Sequence, residues 1–393
     1  MSIPSDPLTA VTHSNPYPYY AHLVEHRPIY RDTTSGLWVA SSANAVSAVL
    51  TSTICRVRPL AEPVPSALLG SPAASIFRHL VRMNDGEAHC PFKQAITCAL
   101  HSLDARSVTE QCDIWADFLL REHQESRSIQ GFAFNLPVYV IASLLGIPQD
   151  KLYHTALWVS DFVRCIAPAS STEQIERGKL AAGHLFDLFH TLLQTHTDRA
   201  SSNLLMALKL QAQDIRCEDR DTIVANSIGF LSQAYEATAG LIGNTIVALA
   251  THHHAYEQVR SNPTYLSLII EEVLRYDPPI QNTRRFLAQD GYIAGQKMQV
   301  GDTVLVVLAA ANRDPDINPH SERFEAIRDQ RRMFTFGAGP HICPGQTLAA
   351  IIAQSGIRRL LAAGFAPEHL TCNVTYRPSA NARIALLVPP DGK

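Results

Sequence analysis

The sequence predicts a mainly α fold with a small β part. Three observations carry that expectation. Helical periodicity runs through most of residues 15–276. After Asp277-Pro278-Pro279 the pattern changes to short β-rich runs with glycine turns, DGYIAGQKMQVGDTVLVVL. A glycine-rich turn carrying a single cysteine then stands just before a last apolar helix.

In chain order, NPYPYYAHLVEHR at 15–27 predicts a first helix, leading into the extended PIYRDTTSGLWVASS. GLWVA around Trp38 reads as the second strand of a small sheet. ANAVSAVL returns to helix, and further helices are expected at 78–103, 109–122, 136–145, 178–195, 225–252 and 265–276. The Ala/Pro/Ser-rich stretch 60–75 reads as a mobile loop. Little regular structure is expected at 312–338, and a last helix after Pro344. With β-rich parts around 28–42 and 284–306 and no repeats or linker, one domain is expected over 1–393.

The 393 residues are 46% hydrophobic, enough for a large core, and the net charge of −3 points to neither nucleic acid nor an anionic membrane. The N-terminus has no basic and then apolar run of a signal peptide, and no apolar stretch is long enough to span a bilayer. A cytoplasmic location without a membrane anchor is the expectation. Eight cysteines (Cys55, Cys90, Cys98, Cys112, Cys165, Cys217, Cys343 and Cys372) lie scattered without C-x-x-C spacing, which argues against disulfides and structural zinc. His252, His253 and His254 are consecutive, so on a helix they point about 100° apart and cannot share one ion.

Cys343 sits in FTFGAGPHICPGQTL, at 334–348. Gly337 and Gly339 suit a tight turn, and Pro344 suits a helix start. A thiol at a helix mouth ringed by backbone donors is expected to favour the thiolate. Three readings follow: a buried cysteine, a nucleophile, for which no His/Asn partner pattern exists, or a haem thiolate ligand.

The fixed positions Phe336, Gly337, Gly339, His341, Cys343 and Gly345 match the haem-ligand signature F-G-x-G-x-H-x-C-x-G, and here the chain resembles the cytochromes P450. Three further stretches resemble that family in the same order. Glu272 and Arg275 resemble its E-x-x-R pair, and the resemblance adds Arg323 as a third member. AANRDP at 310–315 is similar to the stretch before the cysteine loop, and Arg285 aligns with an arginine that reaches a haem propionate. DGEAHCPFKQA keeps His89 of the family's H-x-x-x-R but has Lys93 for the arginine, a point charge without the bidentate fork. The resemblance runs from Asn15 to Val388. It implies the P450 fold, with haem b between a long central helix and the ligand loop 334–346, Cys343 as the iron ligand, and His89, Lys93, Arg285 and His341 on the propionates.

It also places QAYEATAG, 233–240, on the central helix. A lone carboxylate in so apolar a helix is costly unless paired or used. Against the family's A-G-x-(Glu/Asp)-T, Glu236 is the acid that relays protons, Ala237 stands where the alcohol is usual, and Thr238 follows one residue, about 100°, later. Ordered water or a substrate hydroxyl is expected to substitute. Gln233, Tyr235, Gln281, Asn282 and Thr283 are candidate pocket residues. The basic run IRDQRRM suggests Arg328, Arg331 and Arg332 as docking residues for an electron donor.

The resemblance implies a monomeric monooxygenase that uses O2, with electrons from a ferredoxin and its reductase, to oxidise a hydrophobic small molecule. The opening NPYPYYAHL, the short length and QAYEATAGLIGN look more narrowly like the P450s of bacterial gibberellin operons. These oxidise ent-kaurane diterpenoids, including ent-kaurenoic acid at ring B with contraction to gibberellin A12-aldehyde. Another terpenoid or an aromatic as substrate, a peroxide-driven variant, and a non-catalytic haem-binding sensor are the alternatives.

Overall fold

The structure is a computed structural model that describes residues 3–122, 128–167, 170–195, 203–370 and 374–387. Cys372 and Val388 lie outside the described residues.

Helix dominates. At its centre is Arg220–Thr251, started by the Asp219 carboxylate, which accepts the Thr222 N–H at 2.9 Å. The helix is apolar on nearly every face, as a helix inside a large core must be. Helices Ile129–Leu144, Pro72–His79, Gln346–Ala362 and Tyr265–Tyr276 pack around it and share one hydrophobic cluster with it.

The two β-rich segments come together in one five-stranded sheet, in the order Ile29–Arg31, Trp38–Ala40, Thr303–Val306, Thr283–Leu287, Cys55–Arg56. Trp38 pairs in parallel with Val304, and Arg285 pairs antiparallel with Val304 on its other side. Two short hairpins, Gly291–Ile293 with Gln296–Met298 and Thr375–Tyr376 with Ala385–Leu386, complete the strands among the described residues.

Several elements differ from expectation. The helix expected at 78–103 is broken: Pro72–His79 ends, two 3₁₀ turns follow at Val81–Met83 and Gly86–Ala88, and Cys90–His101 begins afresh. Asn84 takes the Arg78 and Leu80 carbonyls at 3.0 and 2.8 Å, Gly86 has φ 61°, and Pro91 opens the next helix. The stretch 60–75 holds a 3₁₀ turn at Ser66–Leu68 and the start of the Pro72 helix, with Val64 and Leu68 buried. Helices Leu152–Cys165 and Leu204–Asp214 were not expected. His252 breaks the central helix and stacks on Phe324 at 4.2 Å between centroids, while His253 and His254 are exposed.

Candidate active site

Cys343 is held by a folded-back turn. The Gly337 N–H donates to the Phe334 carbonyl at 2.7 Å and the Cys343 N–H to the Phe336 carbonyl at 2.8 Å. Gly337 and Gly339 have φ 75° and 66°, which a side chain would strain. At Gly339 a Cβ would also stand 3.0 Å from the Leu50 carbonyl oxygen. The helix that follows starts only at Gln346. Burial pushes the Cys343 thiol up, against the Gly345 N–H and the Lys93 charge. The expectation that the turn alone favours the thiolate is therefore corrected: one backbone N–H and one lysine do not outweigh lost hydration.

The loop before the cysteine is anchored by two asparagines whose roles sequence reasoning missed. Asn312, in AANRDP, accepts the Phe334 N–H at 2.5 Å and donates to the Leu274 carbonyl and the Thr335 hydroxyl. Asn318 donates to the Asn312 and Arg332 carbonyls and accepts the Arg332 N–H.

Beneath this loop lies the Glu272–Arg275 pair, both side chains fully buried, with Arg275 Nη2 2.6 Å from Glu272 Oε1. The third member is a correction. Arg275 reaches only the main-chain carbonyl of Arg323, at 2.8 Å, and the Arg323 side chain is largely exposed beside Glu322. Arg328 takes the place instead, donating to Glu272 Oε1 at 3.1 Å and to the Pro319, His320 and Arg323 carbonyls. Arg331 adds a fourth, donating to Glu272 Oε2 at 3.2 Å and to Glu271 at 2.5 Å. Burial pushes the Glu272 carboxyl up, but Arg275, the Glu325 N–H and Arg328 outweigh it and hold the pKa below the usual range. Arg328 and Arg331 are thus committed inwards and are not free docking charges; Arg332 is exposed.

A cluster of basic side chains and one carboxylate faces the cysteine turn. His341 Nε2 lies 3.0 Å from Asp85 Oδ1, and its ring is 4.2 Å from that of His89. Asp85, a residue the sequence reading left without a role, also accepts the Val57 N–H. His89 is buried and its Nε2 has no partner among the described residues. Burial, then the neighbouring His341 and Lys93 charges, push the His89 pKa down to about 4. Lys93 Nζ donates to the Ile342 carbonyl at 2.5 Å, and burial lowers its pKa. Arg285 is buried on its strand, donating to the Arg284 carbonyl, and burial lowers its pKa as well.

The central helix turns Phe230, Gln233, Ala234 and Ala237 to accessible positions in an otherwise buried run. Glu236 is paired: its Oε1 lies 3.4 Å from Arg377 Nη1. Burial raises its carboxyl pKa, and the charges of Arg377 and Arg164 offset that only in part. Both arginines come from segments distant in sequence, one of them the unexpected helix Leu152–Cys165. Thr238 is buried and its hydroxyl has no partner among the described residues. Of the pocket candidates, Gln233 and Thr283 are accessible. Tyr235 is buried and donates to the Ser160 hydroxyl at 2.8 Å. Gln281 and Asn282 are buried and donate to the Pro278 and Ala380 carbonyls. Tyr235 and Asn282 are thus spent on packing rather than offered to a ligand, whereas Gln281 Oε1 is buried with no partner among the described residues.

Comparison with known proteins agrees on one family. The family model described as cytochrome P450 matches residues 172–363. The biotin biosynthesis cytochrome P450 of Bacillus subtilis (strain 168) is 26% identical over 368 residues, 92% of each chain. The vitamin D(3) 25-hydroxylase of Pseudonocardia autotrophica is 35% identical over 232 residues, 59% of this chain and 56% of that one. Among solved structures, CalO2 superposes with a TM-score of 0.85 at 26% identity, covering 99% of this chain and 98% of the other. P450BioI bound to acyl carrier protein carrying hexadec-9Z-enoic acid superposes at 0.82 and 25%, covering 94% and 97%.

Proposed function

The chain belongs to the cytochrome P450 superfamily, so it is an oxygen-incorporating oxidoreductase with haem b as cofactor, and on that premise we propose which residues hold the haem and what the enzyme oxidises. Cys343 Sγ would ligate the haem iron. His89, Lys93, Arg285 and His341 hold the propionates, and Phe336, Gly337 and Gly345 shape the turn. Glu272, Arg275 and Arg328 fix the loop behind it. The observation that carries this assignment is the orphaned Nε2 of His89. A buried ring nitrogen without a partner is costly, and it sits among basic side chains beside the cysteine turn, where a carboxylate would satisfy it.

Bound haem supplies oxygen activation: one turnover consumes O2, two electrons and two protons, inserts one oxygen atom into a C–H bond and releases the other as water. The electrons come from a redox partner, which we take to be a ferredoxin. The chain's own part is to hold the ligand loop rigid, to exclude water with the apolar helix and to move protons. Glu236, held between uptake and release by burial and the charges of Arg377 and Arg164, carries the proton from outside. Ala237 offers no hydroxyl to the cleft and the Thr238 hydroxyl is buried elsewhere, so water or a substrate hydroxyl completes the relay.

For substrate we propose an ent-kaurane diterpenoid acid, ent-kaurenoic acid above all, on the likeness of NPYPYYAHL and QAYEATAGLIGN to the gibberellin-operon P450s. One round of the balance above hydroxylates ring B. A second round removes two hydrogens as the ring contracts to the aldehyde, and both oxygen atoms of its O2 leave as water. Relatives named for oxidising vitamin D(3) and 6-deoxyerythronolide B support a hydrophobic natural product at the coarser level. The test is an optical titration of the ferric holoprotein with ent-kaurenoic acid and its 7-hydroxy derivative, in protein that gives the red-shifted carbon monoxide band of a thiolate-bound haem. A saturable blue shift of the Soret band at low micromolar ligand is expected. Absence of a shift with both would overturn the diterpenoid assignment, and an unshifted carbon monoxide band the assignment of Cys343.

A further inference from the structure

Arg82 is a cation that neither the ligand turn nor the proton path uses. It lies in the 3₁₀ turn Val81–Met83. That turn is pinned to the central helix: Asn226 accepts the Val81 N–H at 2.9 Å and donates to the His79 carbonyl at 2.9 Å. Leu80 fits so closely over Gly229 that a Cβ there would stand 2.8 Å from its Cδ2. The turn therefore rests on the helix about two to three turns before Glu236, beside the accessible stripe of Phe230, Gln233 and Ala234.

Leu80 and Val81 face the core, while Arg82 is accessible to water. Yet its pKa is lowered, and burial is the one cause, with no carboxylate acting on it. A side chain on the outer surface would show the accessibility without the burial. Both together describe a guanidinium in an internal space that water can enter. No hydrogen bond or ion pair to another side chain holds it among the described residues, unlike the inward-turned Arg275, Arg328, Arg331 and Arg383.

We propose that Arg82 is the anion-recognising residue of the substrate cleft, and that the enzyme selects apolar molecules bearing a carboxylate. An unpaired interior arginine is unfavourable in the free protein and gains a bidentate partner when a carboxylate arrives. The haem's own two carboxylates already have two fixed cations, Lys93 and Arg285, and the His89 and His341 rings as hydrogen-bonding partners beside the cysteine turn, which leaves Arg82 for the substrate. This inference rests on the haem reading of the cleft and deepens the diterpenoid-acid reading without requiring it.

The test compares wild type with Arg82→Gln as holoproteins by optical titration. The probes are imidazol-1-yl-alkanoic acids of increasing chain length, each matched with its neutral alkyl imidazole, together with ent-kaurenoic acid and its methyl ester. The alkyl imidazoles report an accessible haem by themselves; only the difference between acid and neutral partner reports Arg82. Wild type is expected to prefer the acid about ten- to hundredfold at the best chain length, as for a charge-assisted hydrogen bond, and Arg82→Gln to lose that preference while binding the neutral probe unchanged. If the imidazolyl acids behave so but ent-kaurenoic acid does not bind, Arg82 stands and the diterpenoid reading falls. No acid preference at any length, or one that survives in Arg82→Gln, overturns the proposal. So does loss of haem from Arg82→Gln with the acid preference intact, which would assign the arginine to a propionate. Urea denaturation gives an independent check: removing an unpaired interior charge should leave the ligand-free protein at least as stable, and a clear loss of stability would mark Arg82 as structural.

Discussion

Replacing Glu272 by glutamine should destabilise the protein more than any other single isosteric change at an ionised side chain. Two carboxylate oxygens accept five hydrogen bonds. Oε1 takes Arg275 Nη2, the Glu325 N–H and Arg328 Nε at 2.6, 3.0 and 3.1 Å, and Oε2 takes Arg275 Nε and Arg331 Nε at 3.0 and 3.2 Å. An amide keeps one oxygen. In its better orientation the NH2 group meets the two donors on the Oε2 side, so two charged donors lose their acceptor. Each such loss costs roughly 1.5–3 kcal/mol, giving about 3–6 kcal/mol. Breaking a buried ion pair from one side costs a similar 3–5 kcal/mol or so. Against a total stability of order 5–15 kcal/mol this is a large share. Urea unfolding of the holoprotein, read at unchanged m, should show it. Glu271→Gln is the control, because Glu271 meets Arg331 half in solvent, and it should cost under about 1 kcal/mol. The same assay separates the two arginines: Arg328→Ala should be strongly destabilising and Arg323→Ala nearly neutral. A loss below about 1 kcal/mol for Glu272→Gln, or Arg323→Ala as costly as Arg328→Ala, would refute the assignment of the network.

Other outcomes follow from the site. Glu236→Gln should lower turnover by about 10²–10⁴-fold, the usual range for a positioned proton donor, with carbon monoxide binding unchanged; unaltered turnover would remove it from the relay. Ala237→Thr should change the ratio of product formed to electrons consumed, measured from oxygen uptake and product together. His89 is a base whose folded pKa is depressed to about 4. The unfolded chain therefore takes its proton first, near pH 6.5, and stability falls as pH drops from there towards 4. Haem-free protein should lose about 2 kcal/mol between pH 7 and 5 in urea titrations, and His89→Phe should abolish that slope. With a propionate against His89 the slope should shrink in holoprotein. Arg332→Glu should slow reduction by ferredoxin at low salt and leave the rate at high salt unaltered in stopped-flow measurements.

What could be read in the chain itself was local or periodic. The Gly337–Gly345 turn is legible because only glycine tolerates its φ values and Cys343 stands in it alone. The Glu272–Arg275 pair is legible because i, i+3 residues share a helix face. The long central helix follows from an apolar run that a 3.6-residue period describes, and the Trp38 and 284–306 strands from their composition. The break at 80–89 was hidden, since Asn84 competes for helical carbonyls only in a geometry that no period records.

Tertiary structure decided whatever depends on residues distant in sequence. Arg323 and Arg328 are five residues apart and of one type; only the fold turns the second inward to Glu272 and leaves the first in water. The basic run at 327–333 likewise looked like a free surface until Arg331 was placed on Glu271 and Glu272. Glu236 owes its partner to Arg377, 141 positions on, and the arrival of that arginine beside the central helix cannot be inferred from either neighbourhood. Arg82 is unremarked by every local pattern and becomes notable because the chain around it folds into a wall. Periodicity and turn chemistry act between near neighbours, whereas desolvation and charge pairing depend on what the whole chain brings within a few ångströms.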